Sequence, residues 1–254
     1  MHHDLTRRAR ARIVGTVKRP KLAIVTGASS GIGADIGQAL AAAGVRVFLI
    51  GRNPQKLATA LRRIPARSRA GAATVDLHSI ADIRRLLREI RQRFPRIDVL
   101  VHCAGEYHRS KPGATDGEAF NLMFEVNVRA PYLLTQGLAP QLERAGGQVI
   151  FLNSSIVKNP GKGIAAYKAT QHAVQGFTDS LREDMNPRGV RVSSLFPGRT
   201  ATPLMRRIYA HEGRPYKPQL LLRPRELAQL VVALTRLPAH VEVTDVHVRS
   251  VTPY

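Results

Sequence analysis

Three glycines in one turn are the first residues of this 254-residue chain whose spacing points to chemistry. Thr26-Gly27-Ala28-Ser29-Ser30-Gly31-Ile32-Gly33 follows an apolar run, Leu22–Val25, and leads straight into a helical pattern. In that setting each glycine has a physical task. Gly27 allows a tight exit from the strand, Gly31 lets the backbone approach a pyrophosphate, and Gly33 lets the next helix pack closely. Ser29, Ser30 and Ile32 stand within the same turn. The helix starting there offers free N–H groups and a positive dipole end, which suit an anion. This strand–turn–helix context is what the glycine pattern requires of a dinucleotide site. A second apolar run ends Phe48-Leu49-Ile50-Gly51-Arg52-Asn53, with Arg52 where an NAD site would place a carboxylate for the ribose 2′-hydroxyl. A guanidinium pairs with a 2′-phosphate that a carboxylate repels, so the expected cofactor is NADP(H) in preference to NAD(H).

These residues must be positioned by an alternation of short apolar stretches and helical patterns. Leu22–Val25 precedes a helix over Ile32–Ala43, Val45–Ile50 one over Pro54–Arg63, Ala72–Val75 one over Ile80–Phe94, and Val99–Val101 a long helical region. Gln148–Leu152, a helix near Ile164–Met185, Val190–Leu195, a helix near Arg223–Thr235 and a strand near Val243–Val248 complete the series. The strands are apolar throughout, as expected where helices cover both faces of a sheet. The predicted fold class is therefore α/β, a Rossmann-type doubly wound parallel sheet of about seven strands with helices on both faces. Residues 1–20 are expected to form a basic, poorly ordered tail ahead of a single domain over 21–254. Between Pro197 and Pro224 periodicity fades, and Pro203–Pro218 is expected to be an irregular lid. Its Arg206, Arg207, Arg214 and Lys217 suit either an acidic substrate or plain solvation.

Composition narrows the function classes. Thirty-nine Lys and Arg against eighteen Asp and Glu give a net charge of +21. The arginines are scattered along helical patterns instead of gathered in a reading helix, so no specific nucleic-acid partner is expected. The longest apolar runs fall short of the roughly 18 residues a bilayer span needs. A single cysteine, Cys103, cannot form an intramolecular disulfide, which fits a reducing, cytoplasmic setting. His2 and His3 lack metal-ligand partners, and no metal site is expected.

With these residues in place, the chain resembles the short-chain dehydrogenase/reductase family from about Lys21 onward. Thr26–Gly33 is similar to the family's glycine turn, and Asp76-Leu77 to its adenine contact after the third strand. His102-Cys103-Ala104-Gly105 stands where the family has Asn-Asn-Ala-Gly; both asparagines are replaced, while Ala104 and Gly105 remain to line the cofactor's ribose side. Asn127 matches a helix asparagine that supports a proton-relay water. Pro197-Gly198-Arg199-Thr200-Ala201-Thr202 resembles the Pro-Gly segment whose threonine holds the nicotinamide carboxamide. The resemblance makes Tyr167 the residue that passes a proton. It makes a serine of Asn153-Ser154-Ser155 the one that orients the substrate carbonyl. Motif register selects Ser155, although the family's usual interval to the tyrosine points to Ser154.

Four residues beyond Tyr167, where the family has lysine, stands Gln171. An ammonium there favours phenolate; at an effective dielectric near 20, a charge about 4 Å away is worth roughly 4 kcal/mol, an upper bound of about three pKa units. Gln171 can still hydrogen-bond a ribose hydroxyl but supplies no such field. Lys168 is a candidate replacement, yet one residue along a helix turns its side chain about 100° away. The expected function is an NADP(H)-dependent oxidoreductase acting on a small-molecule carbonyl or alcohol, weakened by Gln171. The alternative is a cofactor-binding sensor or scaffold with little turnover. Assembly as a homodimer or homotetramer is what the resemblance implies.

Overall fold

Along a strand, successive side chains point to opposite sides, and Leu22–Val25 (β1) divides accordingly. Leu22 and Ile24 enter one core, Ala23 and Val25 the other. The same division in the neighbouring strands builds a sheet buried on both faces in the computed structural model, which describes residues 21–109, 117–159 and 161–251. The remaining strands are Arg46–Gly51 (β2), Arg69–Thr74 (β3), Val99–His102 (β4), Gln148–Leu152 (β5), Arg191–Pro197 (β6) and Asp245–Val248 (β7). All pair in parallel in the order β3-β2-β1-β4-β5-β6-β7, the predicted doubly wound sheet. The expected tail over residues 1–20 lies outside the described residues.

Helices fill both faces. Gly31–Ala42 (α1), Pro54–Arg62 (α2) and Pro224–Arg236 (α8) supply Ile36, Leu40, Leu57, Val231 and Leu234 to one core. Ile80–Arg93 (α3), Ala130–Glu143 (α5) and Ala165–Met185 (α6) supply Ile83, Leu86, Leu134, Leu138, Val174 and Leu181 to the other. Gly117–Phe124 (α4) runs into α5 through one π-helical stretch, Glu125–Arg129. Among the described residues no helix is long and apolar enough to cross a membrane.

Two elements differ most from the sequence expectation. β3 starts at Arg69, three residues before the predicted strand, because an edge strand of small residues carries little apolar signal. It is held partly from outside: Arg93 Nη2 donates to the Ala70 carbonyl at 3.0 Å while its guanidinium covers the Phe48 ring. The expected lid is in part a helix, Pro203–His211 (α7). Pro203 lies in its first turn, where proline's missing N–H costs nothing, and Thr202 Oγ1 caps it by accepting from the Met205 N–H at 3.1 Å.

Strand order reverses between β1 and β4, so the loops leaving their carboxyl ends diverge and open a crevice. All the predicted site segments lead off this edge of the sheet.

Candidate active site

The glycine turn holds its shape for reasons that coordinates make specific. Gly27 has φ +66°, and a Cβ there would lie 2.7 Å from the Ala104 backbone, so the turns after β1 and β4 touch only because Gly27 lacks a side chain. A Cβ on Gly33 would meet the Gly27 carbonyl at 2.5 Å, which locks the helix start against the turn. Gly31, with φ +57°, would meet only Thr202, 3.3 Å away across the crevice. Thr26 Oγ1 accepts from the N–H groups of Cys103 and Ala104 at 3.0 and 3.2 Å, fastening the two loops together. Ser30, at the N-cap of α1, makes no capping hydrogen bond, unlike Asn53, Ser79 and Thr202 at theirs.

The resulting cleft, of about 280 Å³, is lined by Gly27, Ser29, Ser30, Gly31, Ile32 and Gly33, by Asp76 and Leu77, by Ala104 and Gly105, and by Arg52 and Thr202. Most of the cofactor residues expected from sequence are thus brought together. A glycine cradle facing uncommitted helix amides, with cations at its outer end, fits a dinucleotide diphosphate. Lys56 and Arg207 line the same cleft, as does Glu106. The sequence reading missed Lys56 and Glu106: Lys56 could have been found from its place one turn beyond Arg52, whereas Glu106 carries no sequence signal. Asp76 also shapes its own turn, its Oδ1 accepting from the His78 N–H at 3.1 Å.

Further in, a cavity of about 150 Å³ is bounded by Asn127, Tyr107, Tyr167, Gln171 and Pro197, with Ala104 and Gly105 at its shared wall. Burial pushes the Tyr167 phenol up to about 12; a hydrogen bond from Ser154 opposes the rise and the neighbouring Tyr107 adds to it. Motif register points to Ser155, but it is the Ser154 side chain whose influence lowers the Tyr167 phenol. Ser155 instead opens the 3-10 turn Ser155–Val157, and its carbonyl accepts from Asn159 Nδ2 at 2.7 Å. The cause is local: Ser154 is still extended, and its Oγ turns back to accept from the Ile156 N–H at 3.3 Å.

Asn127 sits in the π-helical stretch, a distortion that recurs at functional sites. Its Oδ1 accepts from the Glu106 N–H at 2.7 Å, while Nδ2 donates to the Glu106 carbonyl at 2.9 Å and to Thr170 Oγ1 at 3.1 Å. Thr170 Oγ1 donates in turn to the Tyr167 carbonyl at 2.8 Å. Gln171 is buried against the cavity, and its backbone carbonyl accepts from Asn153 Nδ2 at 3.1 Å. Lys168 Nζ donates to the Asn159 carbonyl at 3.2 Å, an outward direction consistent with its helical offset from Tyr167.

Two expected cofactor residues stand apart from the cleft and the cavity. Gly198 continues the sheet, its N–H donating to the Val248 carbonyl at 2.7 Å. Thr200 is buried and its hydroxyl donates to the Gly198 carbonyl at 2.9 Å, leaving Thr202 as the threonine at the crevice. His102 is buried, its Nε2 2.8 Å from Thr135 Oγ1, and burial lowers its pKa to about 3. Burial raises the Cys103 thiol to about 12, which disfavours the thiolate that a nucleophile needs. Among the described residues no group of three His, Cys, Asp or Glu is placed to hold a metal.

Comparison with known proteins agrees with this geometry. The short chain dehydrogenase family matches residues 21–213. An uncharacterised oxidoreductase of Staphylococcus saprophyticus is 33% identical over 234 residues, covering 91% of this chain and 97% of its own. An alcohol dehydrogenase from the archaeon Thermococcus sibiricus, solved with 5-hydroxy-NADP, superposes with a TM-score of 0.81 at 26% identity, covering 92% of this chain and 98% of the other. A metagenomic short-chain oxidoreductase in complex with NADP gives 0.78 at 29% identity with the same coverage.

Proposed function

The chain belongs to the short-chain dehydrogenase family, and from that membership we propose that it reduces a carbonyl compound to an alcohol, and the reverse, with NADP(H) in preference to NAD(H). The observation that carries the reading is that two hollows adjoin at Ala104 and Gly105: the glycine-lined cleft on one side and the cavity bounded by Tyr167, Asn127 and Gln171 on the other. When bound, the nicotinamide supplies or accepts the hydride at the substrate carbon.

The protein's own groups manage the oxygen. Tyr167 Oη gives its proton to the carbonyl oxygen during reduction, and the Ser154 hydroxyl donates to that same oxygen and fixes its direction. Because the Ile156 N–H already occupies an acceptor position on Ser154, the serine's proton is directed toward Tyr167 and the substrate. Asn127 is a positioning residue: both N–H groups of its amide are spent, on Glu106 and Thr170, so it holds the segment around Tyr167 without passing a proton through its side chain. With neutral Gln171 in the place where the family carries lysine, Tyr167 keeps its proton at neutral pH. That state serves reduction and leaves oxidation without a base.

Arg52 and Lys56, at the outer end of the cleft, support the preference for a 2′-phosphate, and the NADP complexes of related structures agree with it. Assembly through the long central helices has its support in Phe120 and Phe124, exposed and stacked on α4, and in exposed Tyr132 on α5.

The test follows NADPH absorbance with a panel of aldehydes and ketones, alongside NADPH binding by calorimetry. Turnover that Tyr167→Phe removes while coenzyme binding persists is the expected result. Tight NADPH binding with no turnover across the panel would favour the binding-protein alternative.

A further inference from the structure

Beyond the cofactor cleft, three guanidiniums converge on one carboxylate. Glu212 Oε1 lies 2.9 Å from Arg199 Nη2 and 3.4 Å from Arg109 Nη1, and its Oε2 lies 3.5 Å from Arg214 Nη1. Three guanidiniums thus share the two oxygens of one carboxylate. Aromatic faces hold the cations in place: Arg199 and Arg214 both lie over Tyr209, 4.8 and 5.3 Å from its centroid, and Arg206 lies over Tyr216 at 5.3 Å. The Tyr209 and Tyr216 rings meet edge to face. This is a built arrangement and not a set of freely solvated lid charges.

Its location separates it from the cofactor's phosphates. The cations lining the dinucleotide cleft are Arg52, Lys56 and Arg207, and none of Arg109, Arg199 and Arg214 lies there. Two of the cluster's members adjoin the catalytic cavity along the chain: Arg109 lies two residues beyond Tyr107 and Arg199 two beyond Pro197, and Tyr107 and Pro197 both line the cavity. The Tyr107 ring forms part of the cavity wall and stands 5.0 Å from the Tyr167 ring, and its hydroxyl feels the charges of Arg109, Glu212 and Arg199. A substrate held at Tyr167 shares its cavity wall with Tyr107, the residue nearest in the chain to Arg109 among those lining the cavity. Within the cluster, the Arg199 and Glu212 side chains are 24% and 13% exposed, while Arg109 and Arg214 are 35% and 42% exposed. The outer two are the ones a solute can reach, and the inner pair fixes their position.

Building on the carbonyl-reductase reading above, we propose that Arg109 and Arg214, held by Glu212 and Arg199, bind the carboxylate of the substrate, so that the enzyme acts on oxo acids and hydroxy acids. A planar guanidinium donates two parallel N–H bonds to a carboxylate, a geometry that a neutral ester cannot match with the same charge.

The experiment uses the full chain with NADPH and a series of straight-chain oxo acids from 3-oxobutanoate to 6-oxoheptanoate, each beside its methyl ester. At least one acid is expected to exceed its ester about tenfold in kcat/KM at low ionic strength, with the advantage shrinking as salt is added. Arg109→Gln and Arg214→Gln should each lower that acid-to-ester ratio several-fold, mainly through KM, and Arg214→Lys should restore part of it. Equal use of acid and ester throughout the series, or variants that depress both alike, would overturn the proposal. Should no carbonyl be reduced at all, the reductase reading falls first. Thermal shift of the NADPH-loaded protein then decides the anion site separately. Stabilisation by the acids alone, lost in Arg109→Gln, upholds it, and equal shifts with acids and esters, or none with either, remove it.

Discussion

Arg52 Nη1 lies 2.8 Å from Glu106 Oε1, an ion pair joining the loop after β2 to the loop after β4 at the cofactor cleft. The Arg52 side chain is 65% exposed, so the pair itself adds little stability. Its consequence is competition: the guanidinium assigned to a 2′-phosphate already has a carboxylate partner that binding must displace. Glu106→Gln is expected to tighten NADPH binding several-fold, and Arg52→Ala to weaken it about 10- to 100-fold with much less effect on NADH. Titration calorimetry with both coenzymes on the two variants checks this. Equal losses for NADPH and NADH in Arg52→Ala would detach Arg52 from the phosphate.

Of the two adjacent serines, Ser154 is the one whose side chain acts on the Tyr167 phenol, and the two should differ in role. Tyr167→Phe should lower kcat about 10²- to 10⁴-fold, the usual scale of a general acid, with NADPH affinity retained. Ser154→Ala should cost about 10²-fold or more through loss of a donor to the carbonyl oxygen. Ser155→Ala should stay within a few-fold of the parent, since it is Ser154 that acts on Tyr167. Steady-state kinetics of the three variants are sufficient, and a larger loss at Ser155 than at Ser154 would reverse the assignment.

The direction of catalysis follows from the proton on Tyr167. With the phenol pushed up to about 12, only on the order of one molecule in 10⁵ carries phenolate at pH 7. Reduction uses the protonated form, so its rate should stay level from pH 7 to about 11 and then fall, while alcohol oxidation should rise close to tenfold per pH unit over the same span. Gln171→Lys supplies the missing field and should move the onset of oxidation down by up to about three pH units. The same group affects stability. Its pKa is raised on folding, so its contribution is complete below the unfolded value of 10.0 and is lost as pH climbs toward about 12. Cys103 acts in the same sense from 9.0 upward. Initial rates in both directions across this range, with and without Gln171→Lys, make the comparison. An oxidation rate independent of pH would remove Tyr167 as the titrating base.

What could be read in advance depended on whether a signal lay within one stretch of chain. β1 and β5 carry the boundaries that their apolar runs predict, because a strand covered on both faces leaves no polar alternation to blur its ends. The glycine turn was equally legible, each glycine being tied to its immediate surroundings. Edge strand β3 was offset because its middle is Ala-Gly-Ala-Ala, and α7 was missed because Pro203 opens a helix as readily as it breaks one. The one-residue choice between Ser154 and Ser155 turned on where extended chain gives way to a 3-10 turn, which sequence pattern does not resolve. Arg109, Arg199 and Glu212 come from three separate loops and helix ends, and only folding makes them neighbours.

His102, standing where the family has asparagine, should mark the chain's response to acid. The ring is buried, tilted against Phe151 with centroids 4.8 Å apart and paired through Nε2 with Thr135. Its Nδ1 is buried with no hydrogen-bond partner among the described residues. Burial holds its pKa near 3 against 6.5 for an exposed ring, so the unfolded chain takes up a proton that the folded one refuses. Stability from this group is therefore complete above pH 6.5 and falls by about 1.4 kcal/mol for each pH unit below it, until the folded ring itself protonates. At pH 4.5 the loss amounts to roughly 2 to 3 kcal/mol. His102→Asn removes the titrating group while keeping a side chain able to pair with Thr135, so its Tm should fall less steeply between pH 7 and 4.5 than the parent's. Calorimetric melts of both proteins over that interval decide it, and parallel slopes would place the acid sensitivity elsewhere.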